Sequence, residues 1–366
     1  MWRGGGWIMK YLKHIITAII LLVSMSVGAT IKVIDTDYYG KTIYIDADSK
    51  EVISVGTGWR GSNGASGTKE QATPHALGIA DAVSVIASVG RQFILQADGS
   101  VWMVDRRSDY NDIQVRPLVQ LSVANVSDVE ANAYYAFFII NGSVHQMDIA
   151  NKGAVELVEG LPNNIVEISV AIFHSIARSA NGDVYIWGNN KKPQSISDLP
   201  AIKAISTARY NTVLTDVNGN VWAMDGHRAE RALYGNDFAE WSPVKLPINS
   251  PQTVTKGYAG MTQTMVLFND AHVEMIDWHN DKKGGDFNMS YTMTAAPELT
   301  GIKDFDLGNH KMFIKQDGRV IGWGENDHGQ LGNGFFAKTQ LSGDILPVIW
   351  PKNYVVKLDL LQLSLK

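Results

Sequence analysis

Phe93-Ile-Leu-Gln-Ala-Asp98-Gly99-Ser-Val-Trp102 reads as two short strands around a tight turn. Apolar residues alternate on either side of an Asp-Gly pair, the strongest short-range hairpin signal, because type I′ turns need positive φ at both central positions. The unit recurs as Phe138-Ile-Ile-Asn141-Gly142-Ser-Val-His145, then around Asn181-Gly182, Asn218-Gly219 and Asp317-Gly318. Two eroded copies, Asp48-Ser49 and Asn269-Asp270, bring the hairpins to seven. Pro74, Pro117, Pro162, Pro200, Pro247, Pro297 and Pro347 fall one per unit, four of them in Leu-Pro pairs. A proline there ends one unit where a missing N–H costs least. A period in the forties with several period-two strands per unit describes an all-β, seven-bladed β-propeller, not a helical repeat. After Pro347 only Val355–Leu365 has strand character, and Ile31–Val55 supplies the strands that would follow. The sequence therefore predicts a last blade closed by N- and C-terminal strands, which removes free sheet edges.

Composition agrees. The chain has 366 residues with 45% hydrophobic and 19% charged, a globular balance, and its 34 glycines and 10 tryptophans suit short strands and tight turns. There is no cysteine, which excludes disulfides, thiolate metal sites and cysteine nucleophiles. Residues 1–29 read as a signal peptide. Lys10, Lys13 and His14 precede an apolar run from Ile15 to Val23, and Val27-x-Ala29 forms a small-residue end. The run is shorter than the span of about 20 residues that a membrane requires. Met9 is an alternative start, which would make residues 1–8 a start-site artefact. Cleavage after Ala29 removes Arg3, Lys10 and Lys13, leaving 29 basic against 37 acidic residues, a net −8. The expectation is an exported (periplasmic or extracellular) single propeller domain over 31–366. It would be a monomer with no stable membrane span after signal cleavage, and its acidity argues against nucleic acid as a partner.

The last hairpin continues as Val320-Ile-Gly-Trp323-Gly324-Glu-Asn326-Asp-His-Gly329-Gln330-Leu331-Gly332-Asn-Gly334. This resembles the repeat of the regulator of chromosome condensation family, with its Trp-Gly-x-Asn-x-x-Gly-Gln-Leu-Gly run after an Asp-Gly hairpin. Tyr185-Ile-Trp187-Gly188-Asn189-Asn190 keeps the first half, and His310 and His174 precede their hairpins as in the family pattern. The resemblance covers about residues 31–366, strongly in one repeat, and implies a seven-bladed propeller of the secreted bacterial branch. The family includes a nuclear exchange factor, whose chromatin partners fit an exported acidic chain badly. It also includes a secreted form that caps an enzyme with one propeller face. Gly329 to Gly332 read as structural, the glycines allowing a tight turn and Leu331 packing between blades.

Signatures of chemistry are few. Zinc-protease and nucleophile-elbow motifs are missing. Gly56-x-Gly58-x-x-Gly61 lacks the following helix that would hold a pyrophosphate. Asp46-x-Asp48 and Asp35-x-Asp37 lack the remaining ligands of a calcium loop. The nine histidines show no metal-ligand spacing, so neither metal nor cofactor is expected. Asp105, Asp148, Asp225 and Asp277 each follow the third strand of a unit. They could form an acidic ring for a polysaccharide-active hydrolase or lyase working in the funnel, or simply cap strand ends by Asx-turns. Just beyond the same strands lie Trp59, Arg60, Arg106, Arg107, Tyr110, His227, Arg228, Arg231, Trp278, His279 and His328. Equivalent repeat positions share one face, and Trp, Tyr and Arg are enriched at binding hot spots. The favoured expectation is a non-catalytic propeller recognising a protein or other macromolecule through that loop face. The alternatives are the hydrolase and a structural module of a cell-envelope assembly.

Overall fold

The computed structural model describes residues 33–37, 40–46, 49–57, 70–89, 91–104, 118–151, 153–172, 174–188, 192–208, 211–225, 243–248, 250–260, 263–283, 286–295, 299–308, 310–324, 327–331 and 358–359. It is an all-β propeller of seven four-stranded antiparallel blades, at residues 34–76, 82–120, 126–157, 165–195, 202–245, 254–295 and 302–359. No helix among the described residues is long and apolar enough to cross a membrane.

Each sheet runs in chain order, first strand to fourth. The first strands touch one another in a closed cycle, blade one meeting blade seven, so they surround the axis. Period two follows from packing. Seven apolar clusters occupy the seven seams, and successive residues of one strand serve opposite neighbours. In blade two, Phe93 packs towards blade three and Ile94 towards blade one. Both are fully buried, each contributing about 1.5–3 kcal/mol.

The axis has a problem of its own, because the inner edge of every first strand presents backbone N–H groups with no ladder partner. Side chains of the preceding blade accept them. Asp35 accepts from the Ala87 N–H at 2.6 Å, Ser169 from Thr207 at 3.0 Å, Ser206 from Ala259 at 3.0 Å, and Asp306 from Thr36 at 2.9 Å. One level along, Asp128 accepts from Ile168 at 3.2 Å and Glu167 from Ile205 at 3.4 Å. The polar residues of the first strands therefore act as an edge-satisfying ring.

The structure corrects two expectations. Ring closure does not come from a blade shared by the termini. Ile34–Thr36, Lys41–Ile45 and Val52–Thr57 belong to blade one, completed by Glu70–Ala76, while Leu358–Asp359 is the outer strand of blade seven. The seam closes by packing and side chains. Ile34, Tyr44 and Ile53 meet Met312, Ile314 and Leu331, and the Thr42 hydroxyl donates to the Gln330 carbonyl at 2.8 Å. Leu331 lies between blades as the motif reading expects.

The turn type also differs. Only Asn141-Gly142 has positive φ at both positions, 51° and 81°. In the Asp98, Asn181, Asn218 and Asp317 hairpins only the glycine is left-handed, and its N–H donates three residues back, as in Gly99 to Gln96 at 3.0 Å. This is a three-residue loop, a type I turn closed by a left-handed residue. The hairpin tip then meets the next blade: the Val126 N–H donates to the Gly99 carbonyl, Ile165 to Gly142, and Ile202 to Gly182.

Candidate functional site

Antiparallel order places the ends of all first and third strands on one face and the Asx-Gly hairpins on the other. On the first face, third strands lead into the connections at 58–69, 105–117 and 226–243, and into 325–357 after blade seven. On the hairpin face the loops between second and third strands span only two to six residues. The long connections are thus concentrated on the third-strand face, as the repeat register implies.

Of the residues expected there, Trp59, Arg60, Arg106, Arg107, Tyr110, His227, Arg228 and Arg231 lie outside the described residues, as does Asp105. His328 is half-buried at the seam of blades seven and one, its backbone N–H donating to the Gln330 side-chain oxygen at 2.9 Å. Trp278 and His279 are not in a loop. The third strand of blade six runs on through them to Lys283, paired with Tyr291 and Ser290 of the fourth strand. The ladder to the second strand stops at Asp277, so the last residues of this strand extend the sheet as a two-stranded arm.

The carboxylates behave less uniformly. Asp148 caps a turn: its Oδ1 accepts from the Ala150 and Asn151 N–H groups at 2.9 and 3.1 Å, and these bonds hold it below the usual carboxylate range. Asp225 ends the third strand of blade five, paired with Asn211, and Asp277 is where the third strand of blade six last pairs with the second strand, at Gln263. Third strands lie two strands outward from the first strands that surround the axis, about 10 Å at the usual strand spacing. Asp148, Asp225 and Asp277 thus stand on strands outward of those that surround the axis. Acids nearer the axis, such as Asp128 and Glu167, are engaged with backbone N–H groups and, for Glu167, with Arg178 at 2.7 Å. Among the described residues no group of His, Asp and Glu could hold a metal.

Beneath this face lie the first residues of the second strands, which sequence reasoning did not single out as a set. His174 Nε2 bonds the Thr212 hydroxyl of the next blade at 2.7 Å, and His310 Nε2 bonds Thr42 across the closing seam at 2.6 Å. Burial lowers their pKa to about 4 and about 3, with Lys311 adding to the shift at His310. At neutral pH they are uncharged bridges. Asn211 donates to the Gly260 carbonyl at 3.0 Å. At the equivalent position of blade one, Lys41 is fully buried, its Nζ has no hydrogen-bond partner, and burial lowers its pKa to about 7 against the opposing pull of Asp37. A signal was available: His174 and His310 share a repeat register with Lys41. Tyr134, 55% exposed in the turn between the first two strands of blade three, adds an aromatic to the face that sequence reading missed.

Comparison with known proteins agrees with this geometry. Residues 165–194, blade four, match the model of the regulator of chromosome condensation (RCC1) repeat. The match thus puts one RCC1 repeat within a seven-bladed propeller. It is 24% identical over 181 residues to protein pim1 of Schizosaccharomyces pombe, covering 47% of this chain and 29% of pim1. It is 25% identical over 205 residues to the human E3 ubiquitin-protein ligase HERC2, covering 49% of this chain and 4% of HERC2. The chain thus spans only a small part of these curated relatives. Among solved structures, human WBSCR16 superposes with a TM-score of 0.61 at 16% identity, covering 78% of this chain and 90% of that one. Yeast RCC1 (Prp20), solved bound to Kap60, gives 0.62 at 14% identity, covering 86% and 84%. At these identities the likeness is one of fold.

Proposed function

We propose that this chain is an exported, non-catalytic binding propeller that recognises a protein through its third-strand face. The observation that carries the reading is the concentration of long connections on that face, opposite minimal hairpins. Those connections hold Trp59, Arg107, Tyr110, Arg228 and Arg231, residue types that dominate interface hot spots. The structural neighbour Prp20, yeast RCC1, is known bound to Kap60 and for its binding to Gsp1p and histones. Export rests on the basic, apolar and small-residue segments of residues 10–29.

The test is capture from the native cell envelope with the full chain, repeated with Trp59→Ala, Arg107→Ala and Arg228→Ala. A specific protein partner should be lost when a hot-spot residue is truncated, each costing about 2 kcal/mol or more of binding. A partner retained equally by all three variants would move the site to another face. N-terminal sequencing of the mature protein should begin at Thr30. A terminus at Met1 or Met9, with the protein in the cytoplasm, would end the export reading.

A further inference from the structure

Cross-strand partners share one side of a sheet, so the ladders fix which seam each outer-strand residue faces. Met103 belongs to the apolar cluster between blades two and three, and its partner Val119 therefore faces blade three. Phe138 belongs to the same cluster, and the ladder from it through His145 to Leu157 turns Leu157 towards blade two. Two outer strands thus present apolar side chains to one seam. The same positions in neighbouring seams are polar: His75 and Gln120 between blades one and two, Glu156 and Ser195 between three and four, Gln194 and Lys245 between four and five.

Val119 is 44% exposed and Leu157 55%, two of the five large apolar side chains exposed among the described residues. Leu121, Val123 and Val155 are half-buried and pack on the cluster that holds Phe93 and Phe138. The seam is therefore an apolar groove that runs from the core to solvent at the rim of the ring. An exposed apolar strip among polar neighbours marks a place where another molecule docks.

Charge decides the kind of molecule. Residues 81–160 span blades two and three with their flanking turns. They hold ten acidic side chains against five basic ones, a difference equal to the chain's formal charge of −5. At the groove, Glu156 stands between Val155 and Leu157 in the chain and Glu159 follows shortly after, both exposed. Such a surface repels a second copy of itself and attracts cationic groups. An extended segment that alternates apolar and basic side chains turns the first into the groove and keeps the second in solvent near the acids.

We propose that the rim groove between blades two and three is a second docking site, which takes a protein segment of alternating apolar and basic side chains between Val119 and Leu157. The groove lies on the circumference of the ring, not on the third-strand face, so this reading stands or falls separately from the loop-face one.

The probe is a fluorescently labelled peptide of alternating leucine and lysine, titrated against the full chain by anisotropy. It should bind, and raising the salt from about 50 to about 300 mM should weaken it. Val119→Ser, Leu157→Ser and the Glu156→Gln, Glu159→Gln double variant should each weaken binding about fivefold or more. Val244→Ser, 49% exposed on the outer strand of blade five, should bind like the parent. All these positions are exposed, so the circular dichroism spectrum and Tm should not move. Failure of the peptide to bind overturns the proposal, as does equal binding of a lysine–serine peptide, which would leave charge alone at work. So does binding that Val119→Ser and Leu157→Ser leave unchanged, or that Val244→Ser weakens as much. A dimer in sedimentation that Leu157→Lys dissociates would give the groove to a second copy, and overturns it too.

Discussion

Lys41, His174 and His310 occupy one repeat position, the start of a second strand, and differ in how their polar atoms fare. The histidines find a threonine hydroxyl on the next blade, whereas the Lys41 Nζ finds no hydrogen-bond partner. An unsatisfied buried polar group costs about 1–3 kcal/mol, so Lys41→Met should stabilise the fold by that order in denaturant titration. The pH signature has a definite sign. The folded pKa of Lys41 is about 7 against 10.5 unfolded, so between these values the unfolded chain binds more protons. Stability should therefore rise as pH goes from 7 to 10.5 in the parent and lose that component of slope in Lys41→Met. The histidines act on the acid side by the same logic. Their folded pKa values of about 4 and about 3 lie below the usual 6.5, so their contribution is complete above 6.5 and is lost as pH falls towards 4. Buried acids such as Asp128, raised by burial and then by Glu130, tilt the curve the other way. The test is accordingly a difference: subtracting the profile of the His174→Gln, His310→Gln double variant should isolate a slope between about pH 6.5 and 4.

At the scale of the hairpin, the structure explains what erosion of the repeat did. Four hairpins seat glycine in the left-handed position that closes the loop, whereas blade six seats Ala271 there with φ 67°. Its hydrogen bonds match those of the glycines: Ala271 donates to Phe268 and accepts from Ile302 of the next blade. A left-handed non-glycine residue costs about 1–2 kcal/mol, so Ala271→Gly should stabilise by up to that amount, less the entropy glycine adds to the unfolded chain. The reverse change is graded by surroundings. Gly78→Ala would meet open space and incur only the backbone cost. Gly142→Ala would also drive a Cβ to 2.3 Å from the Asn163 carbonyl oxygen, and should be clearly the worse in thermal unfolding. Here lies the limit of what the sequence made legible. Asx-Gly pairs mark the hairpins because few other residues tolerate left-handed backbone, and that located five of the seven blades directly. They do not separate a two-residue turn from a three-residue one, since both place glycine last. Nor did alternation in residues 273–295 reveal that two strands continue past their blade, because Trp278 and His279 align with loop positions in the other repeats.

For the whole molecule, the question is what keeps the ring shut. Strand character in both terminal segments suggested a shared blade. A strand pattern shows that a segment pairs, and is silent on which neighbour it pairs with. The structure gives each terminus its own sheet and leaves closure to a seam between complete blades. That seam carries the Gly-Gln-Leu motif as a wedge. Gln330 is fully buried beside Gly40 and Gly56, where a Cβ on Gly56 would come within 3.0 Å of the Gln330 Cα. Leu331, 3% exposed, packs in the cluster shared by blades one and seven. Asp306 and His310 reach across to Thr36 and Thr42. Two perturbations of the C-terminal part of the chain should then have opposite weights. Removing Val355 to Lys366 takes away the outer strand Leu358–Asp359 and leaves the contacts between blades one and seven in place, so most of the melting temperature should remain. Leu331→Ala opens a cavity inside the closing seam and should cost about 2–5 kcal/mol, because the ring must part there if it parts anywhere. If truncation unfolds the domain while Leu331→Ala is tolerated, closure resides in the C-terminal strand after all, and the seam contacts are incidental to it.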